Sequence, residues 1–209
     1  MSEPGRHEES SPKNRLRVRY KPISKIRSVS ADLNNTKVEL AKAREDSLTD
    51  DLTGLLTKKA FYTEAATYIA GAERRDESFA LVMMDINDFK EVNDEKGHLV
   101  GDEVIRETGQ AFAETLRKGD IVARFGGDEF IALLTGHDER PWKAVTAFTV
   151  QDRVEELIKL RLINSDVSSI KVSIGVDFSS KFERHDLLDM IRNADAMMYK
   201  EKARRKKYV

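Results

Sequence analysis

The sequence of 209 residues contains no cysteine, only four prolines and a single tryptophan. The absence of cysteine excludes disulfide bonds and thiolate-bound zinc, and it is compatible with a reducing compartment. No apolar run approaches the roughly 20 residues that a membrane-spanning helix needs. The N-terminus also lacks the apolar core of a signal peptide. We therefore expect a cytoplasmic protein without a membrane span.

Charge is distributed unevenly along a chain whose formal net charge is only -1. Residues 1–30 and residues 200–209 each carry a surplus of five positive charges, so the remainder carries -11 once those ten are taken from -1. A nucleic-acid-binding surface needs its positive charge on the folded face. The acidic body of this chain therefore argues against a nucleic acid as partner.

Composition divides the chain into three parts. Residues 1–22 are polar and basic and hold three of the four prolines, which predicts a disordered tail that a regulatory protein could bind. Residues 23–48 show a weak heptad pattern, which indicates a helical linker. This linker is either a short parallel coiled coil between two copies or a lone amphipathic helix. Residues 49–209 are long enough for one domain, whereas the preceding 48 residues are too few for a typical sensor domain.

Apolar periodicity and turn residues predict the main elements of that domain. The predicted strands are 79–84, 121–125, 130–134 and 170–176. The predicted helices run from the polar turn at 50–57 to about residue 74, over 91–97, and from 101 to about 118. A fourth predicted helix ends at about residue 160, and the last runs from 186 to about 206. We expect Trp142 to be a packing anchor and Leu188 to be buried on the last helix.

Residues 126–130 read Gly-Gly-Asp-Glu-Phe and lie at the bend between the two middle strands. The glycines predict a two-residue turn with positive φ and a backbone that a triphosphate can approach closely. The adjacent carboxylates of Asp128 and Glu129 repel each other, so they are either exposed to water or bound to a cation. This pattern predicts a hairpin that carries a metal site.

A second acidic position follows the buried apolar run 79–84, which ends abruptly at Asp85. A buried strand with an acid at its end is a common way to present a metal ligand, and the alternative is that Asp85 caps a helix. Asp102 is likewise open to two interpretations, as a helix cap or as a group that contacts a ligand.

The sequence around the turn resembles the GGDEF family of diguanylate cyclases. Residues 126–130 match the motif that names the family, and three other segments match it in the same order. Residues 50–61 resemble the entry segment Asp-x-Leu-Thr-Gly-Leu, with Thr-Lys-Lys at 57–59 in place of Asn-Arg-Arg. Residues 85–102 resemble the run Asp-x-Asp-x-Phe-Lys-x-x-Asn-Asp to Gly-Asp, with Asn87 in place of the second acid. Residues 173–176 match its Ser-Ile-Gly-Val strand.

The resemblance implies an α+β, palm-type nucleotidyl cyclase fold, similar to an α/β sandwich, with a mostly antiparallel central sheet surrounded by helices. It implies an enzyme that condenses two GTP molecules into cyclic di-GMP and two pyrophosphates. The implied cofactor is Mg²⁺, with Mn²⁺ as a substitute, and the implied active state is a homodimer because each copy holds one GTP. The alternative is a catalytically weak domain that senses cyclic di-GMP or GTP.

The resemblance also implies roles for individual residues. Asp128 and Glu129 would be catalytic, with Glu129 as a further metal ligand or as the base for the ribose 3′-OH. The implied metal ligands are Asp85, Ile86, Asp128 and Glu129. The implied substrate-binding residues are Asp88, Phe89, Lys90, Asn93, Asp102, Gly126, Gly127, Lys202 and Lys206. Lys206 stands where the family has arginine, and the acid at 102 favours guanine over adenine.

Arg117 and Asp120 form an Arg-x-x-Asp pattern shortly before the Gly-Gly turn. Basic residues followed by Gly119 are typical of a helix end. The same pattern resembles the family's inhibitory site for cyclic di-GMP. There an arginine can bridge O6 and N7 of a guanine while an aspartate accepts from its N–H edge.

Overall fold

The computed structural model of the chain describes residues 37, 48–137, 147–165, 167, 170–179, 184 and 186–205. Contacts divide the chain into two units, Met1–Asp46 and Ser47–Val209, and almost all described residues belong to the second. Four subjects of prediction lie outside the described residues: the tail 1–22, the linker 23–48 apart from residues 37 and 48, Trp142, and Lys206.

The described residues form a five-stranded sheet. Its strands are β1 (Leu56–Thr57), β2 (Ser78–Ile86), β3 (Ile121–Arg124), β4 (Glu129–His137) and β5 (Val172–Ser179). They lie side by side in the order β1-β3-β4-β2-β5. The pair β1 and β3 is parallel, and the other three neighbouring pairs are antiparallel. The prediction of a mostly antiparallel sheet is confirmed.

Five helices surround this sheet within the described residues. They are α1 (Lys58–Arg74), α2 (Phe89–Lys96), α3 (His98–Thr115), α4 (Ala147–Arg161) and α5 (Leu187–Arg205). The predicted α+β class is therefore confirmed. No helix in the described part of the chain is long and apolar enough to cross a membrane.

The alternation of side chains along β2 explains why helices cover both faces of the sheet. Its even-numbered apolar residues from Ala80 to Ile86 join one buried cluster, to which α3 and α4 contribute. Its odd-numbered residues Phe79, Leu81 and Met83 join a second cluster with α1 and α5. Successive residues of a strand point to opposite faces, so a strand covered on both sides is apolar throughout.

Gly175 allows α5 to pack directly against β5. A Cβ atom at this position would lie 1.9 Å from the carbonyl oxygen of Ala194 and 2.4 Å from the nitrogen of Met198. Both are main-chain atoms of α5, so only a residue without a side chain permits this approach. The glycine therefore sets the distance between the helix and the central sheet.

Two predicted helix boundaries and one burial prediction are wrong. Helix α3 begins at His98 instead of 101, because Gly97 takes a φ of 85° and joins it directly to α2. The same helix ends at Thr115, after which Leu116 is extended, so the basic residues that follow do not belong to its last turn. Leu188 lies on the outer side of α5 and is 58% exposed.

Candidate functional site

The turn between β3 and β4 differs from the predicted two-residue turn. It spans residues 125–128, and the N–H groups of Phe125 and Gly126 both donate to the carbonyl of Glu129, at 2.8 and 3.2 Å. Neither Gly126 nor Gly127 has a positive φ, so that prediction is wrong. Gly126 instead makes room for a side chain, because a Cβ there would lie 2.5 Å from Oε2 of Glu129. No atom lies within 4 Å of a Cβ built on Gly127.

Arg124 holds the turn through its guanidinium group. Its Nη2 donates to the carbonyl of Gly127 at 2.8 Å, and its Nε lies 3.2 Å from the carbonyls of both Gly126 and Gly127. Its Nη1 binds both carboxylate oxygens of Asp50, at 3.1 and 3.2 Å. A fork of fixed geometry thus joins the turn to the segment before β1.

Asp50 is itself fixed by Thr53, whose N–H and hydroxyl donate to Oδ1 at 2.9 and 2.8 Å. Burial alone would raise the pKa of Asp50, but these hydrogen bonds and the charge of Arg124 lower it below the ordinary value. Sequence reasoning did not assign a role to Asp50 or Arg124. The available signals were the first acid of the entry segment and the arginine two residues before the glycines.

The three predicted acidic ligands lie at the same end of two adjacent strands. Asp85 in β2 is directly opposite Glu129 in β4, and the N–H of Ile86 donates to the carbonyl of Asp128 at 3.2 Å. Asp85 belongs to β2, four residues before α2 begins at Phe89, so the alternative that it caps a helix is wrong. Ile86 has a buried apolar side chain, so its main-chain carbonyl is its only oxygen ligand.

These carboxylates repel one another. Burial raises the pKa of Asp85, Lys202 opposes that change, and the charges of Asp128 and Asp88 add to it, with a raised pKa as the result. The pKa of Glu129 is raised by burial and then by the charges of Asp85, Asp128 and Asp195 of α5. A divalent cation bound by oxygen ligands would relieve this repulsion.

Lys202 of α5 reaches into the acidic group and donates from Nζ to Oδ1 of Asp85. Among the described residues, no three acidic or histidine side chains are arranged so that they could hold a metal ion. The donor chemistry of Asp85, Asp128 and Glu129 nevertheless fits Mg²⁺, which binds through carboxylate and carbonyl oxygens. The ammonium group of Lys202 takes the place of a cation at Asp85.

Lys58, at the first position of α1, lies against Phe125 of the turn. Its Nζ is 3.9 Å from the centre of the Phe125 ring, a distance at which a cation is attracted to the ring face. Its charge also partly offsets the acids that raise the pKa of Glu129. Sequence reasoning treated Lys58 only as a departure from the family's arginine, and it missed both Lys58 and Asp195 as neighbours of Glu129.

The residues between β2 and α2 form a tight bend. Asp88, at the N-cap position of α2, has a left-handed φ of 53°, which is uncommon for a residue other than glycine. Asn87, the residue that departs from the family, accepts from the Ser173 hydroxyl at 2.8 Å and donates its own N–H to the carbonyl of Lys171 at 2.8 Å. The bend is therefore anchored to β5. Lys90 is exposed on the first turn of α2.

Asn93 and Asp102 lie on two helices that approach closely. A Cβ at Gly101 would be 2.0 Å from Oδ1 of Asn93 and 3.3 Å from the ring of Phe89. Asn93 is therefore next to the residue that precedes Asp102. Asp102 is exposed at the fifth position of α3, so the alternative that it caps this helix is wrong.

Asp120 closes the turn that contains Arg117. Its Oδ2 accepts the N–H of Arg117 at 2.9 Å, and its Oδ1 accepts the N–H of Thr135 in β4 at 2.9 Å. Arg117 is exposed and lies outside α3, so the prediction that it belongs to the last turn of that helix is wrong. Asp120 has a structural role whatever else it binds.

The comparisons with known proteins agree with this architecture. A family model described as "Diguanylate cyclase, GGDEF domain" matches residues 47–208. Diguanylate cyclase VdcA of Vibrio cholerae is 33% identical over 180 residues, which cover 86% of this chain and 51% of VdcA. The chain spans about half or less of the length of the curated relatives it matches first.

Two solved structures are also similar. Diguanylate cyclase SiaD of Pseudomonas aeruginosa, in complex with its activator SiaC, is 27% identical with a TM-score of 0.65, over 87% of this chain and 68% of SiaD. The GGDEF domain of DgcB from Caulobacter crescentus, in complex with c-di-GMP, is 29% identical with a TM-score of 0.65, over 76% of this chain and 91% of that domain. The family match covers all the strands and helices described above, and the chain therefore belongs to the GGDEF-domain family.

Proposed function

We propose that the chain is a diguanylate cyclase, which joins two GTP molecules into cyclic di-GMP and releases two pyrophosphates. The observation that supports this most directly is the register of β2 and β4, in which Asp85 lies opposite Glu129 and next to Asp128. These acids adjoin a turn whose main chain Arg124 fixes. Family membership supports the same reaction.

In each half of the reaction, a ribose 3′-oxygen bonds to the α-phosphorus of the other GTP while the bond from that phosphorus to the β-phosphate oxygen breaks. The proton of the 3′-OH passes to a base, for which Glu129 is the candidate, and pyrophosphate leaves with the electron pair of the broken bond. Asp85, Asp128 and the Ile86 carbonyl would hold Mg²⁺. Bound Mg²⁺ supplies positive charge that lowers the pKa of the hydroxyl and neutralises the leaving group.

Lys202 would change partners when substrate binds. In the structure its ammonium group is bonded to one carboxylate oxygen of Asp85, so it competes with a cation for this acid. The triphosphate offers a new partner for this ammonium group. Lys90 and Lys206 would bind the same triphosphate. A lysine contributes a point charge without the bidentate geometry of arginine, so Lys206 would bind phosphate less tightly than arginine does.

Asn93 and Asp102 are the candidate residues for guanine recognition. A carboxylate can accept hydrogen bonds from N1 and N2 of guanine, whereas adenine presents no N–H at these positions. The proximity of Asn93 to the residue before Asp102 supports joint contact with one base. Phe89 lies beside them and offers an apolar surface.

Two copies of the chain would act together, because one active site holds one GTP and the product contains two. The inhibitory site proposed at Arg117 and Asp120 would bind the product, as a related domain of DgcB is bound to c-di-GMP. A regulatory partner is consistent with this scheme, since SiaD is found with an activator. The N-terminal tail is the proposed point of contact for such a partner.

The test is to incubate the purified chain with GTP and Mg²⁺ and to identify the products by mass spectrometry. We expect cyclic di-GMP from GTP and no cyclic product from ATP. The variant D128A should form no cyclic di-GMP from GTP. Measuring specific activity across a dilution series tests the dimer. If the chain binds GTP without forming product, the sensor alternative replaces the enzyme.

A further inference from the structure

Glu155 of α4 is a half-buried carboxylate outside the acidic turn, and it joins three elements of the fold. Its side chain is 11% exposed. Its Oε2 binds Nζ of Lys171 at 2.7 Å, and its Oε1 accepts the N–H of Val172 at 3.2 Å and Nη1 of Arg205 at 3.0 Å. Gln151, one turn earlier in the same helix, also donates to Oε1 at 3.3 Å.

Two of these contacts lead to the strand that carries Asp85. Val172 pairs with Ile86, the residue after Asp85, and the carbonyl of Lys171 accepts the N–H of Asn87. Glu155 therefore holds the start of β5 at the place where it supports the end of β2.

The third contact leads to the helix that carries Lys202. Arg205 lies three residues after Lys202, near the C-terminal end of α5, and it also contacts Glu201 at 3.4 Å. Helix ends fray unless side chains tie them down. The bond from Arg205 to Glu155 anchors the last turn of α5 to α4, and Lys202 reaches Asp85 from the same turn.

We propose that Glu155 is a positioning residue for the active site, which fixes the Asp85 strand and the Lys202 helix relative to each other and so aims Lys202 at the bound triphosphate. This inference rests on the proposed function. Burial would raise the pKa of Glu155, but Lys171 and its other donors lower it, so the carboxylate is ionised at neutral pH and holds both cations. Residues behind the ligands of a site commonly determine the geometry of those ligands.

A purely structural role for Glu155 predicts lower stability without a specific effect on substrate. The chain offers a matched control in Glu107 of α3, whose carboxylate binds Nη1 of Arg161 at 2.9 Å. This bond also joins two helices, α3 and α4, and neither of its residues contacts the segments that carry Asp85 and Lys202 in the way that Glu155 does. The variants E155Q and E107Q each remove one negative charge from an arginine contact.

The experiment uses calorimetry in Mg²⁺ to measure the affinity for a GTP analogue with a methylene bridge between its α- and β-phosphates, where the bond would otherwise break. It also measures KM and kcat for GTP and the thermal midpoint. We expect E155Q to weaken analogue binding and raise KM roughly tenfold, with a smaller change in kcat. We expect E107Q to leave binding unchanged. In a K202A background, E155Q should have little further effect on binding, because its action passes through Lys202.

Two results would overturn the proposal: an affinity loss in E155Q no larger than in E107Q, or the same additional loss when Lys202 is already alanine. If E155Q does not fold, R205Q removes the helix-side bond of Glu155, together with the contact between Arg205 and Glu201, and carries the same expectations. Analogue binding does not depend on turnover. A chain that binds the analogue but makes no cyclic di-GMP would therefore refute the proposed function and still test this inference.

Discussion

Replacing Gly175 by alanine tests whether the packing of α5 on β5 sets the geometry of the site. The new Cβ would meet the Ala194 carbonyl oxygen at 1.9 Å, whereas ordinary van der Waals contact begins at 3.4 Å. The helix would therefore have to move away by about 1.5 Å. Both opposing atoms belong to the main chain of α5, so rotation of a side chain cannot relieve the contact.

We expect two consequences of this displacement. Overpacking of a core costs about 3 kcal/mol when the backbone must move, which lowers the thermal midpoint of a domain of this size by about 6 to 12 °C. Lys202 lies four residues after Met198 on the displaced helix. A misplacement of about 1 Å at a reacting centre can cost about a hundredfold in rate, so kcat should fall much more than the loss of folded protein explains.

The assay combines thermal unfolding by circular dichroism with the rate of cyclic di-GMP formation at a temperature where both proteins are folded. The variant G127A is the control for stability, because its Cβ would have no neighbour within 4 Å and its φ is not positive. If G175A unfolds within about 1 °C of the wild type, the close packing of α5 does not set the position of Lys202.

Four other variants test separate parts of the site. R124K should reduce kcat roughly tenfold in a product assay, because lysine cannot bind both the turn and the carboxylate of Asp50; an unchanged kcat would contradict this. E129Q should raise the thermal midpoint without Mg²⁺ by roughly 1 to 2 °C at neutral pH. Because the pKa of Glu129 is raised in the folded protein, the wild type loses stability as the pH rises through that pKa. The higher midpoint of E129Q should therefore disappear in acid, where Glu129 is protonated, and a difference in midpoint that grows in acid would refute the reasoning. R117A should raise the product concentration needed for inhibition about tenfold with an unchanged midpoint. D120A should do the same and lower the midpoint by about 2 to 4 °C, since two N–H groups lose their acceptor, and equal midpoints would argue against that structural role.

Four of the five strands and the convergence of the acids could be predicted from the sequence because both depend on local patterns, whereas the two-residue strand β1 lies in the segment that was predicted to be a polar turn. The unbroken apolar run before Asp85 indicates a strand buried on both faces, and the bend at 126–130 lies between two more apolar runs. Antiparallel neighbours bring the end of one strand beside the start of the other. This placed Asp85 near Asp128 without knowledge of any side-chain contact.

The details of the turn could not be predicted in the same way. A Gly-Gly pair suggests a tight turn with positive φ, but here the turn is held from outside by Arg124, whose partner Asp50 is 74 residues away. The position of Lys202 depends on the packing of α5, which Gly175 sets at a distance that sequence periodicity does not reveal. Long-range side-chain contacts of this kind follow from tertiary packing.

The acidic site is costly to the fold when no cation is bound, and Lys202 relieves that cost. Burial and mutual repulsion raise the pKa of Asp85 and Glu129, and the ammonium group of Lys202 partly offsets this rise at Asp85. If the same ammonium group binds the triphosphate, cation and nucleotide must bind cooperatively, because each arrival makes the other more favourable. Free Mg²⁺ alone would compete with Lys202 for Asp85, and nucleotide alone would leave Asp85 without a positive partner. The ion pair thus disfavours partial occupation of the site and favours the complete complex of cation and nucleotide.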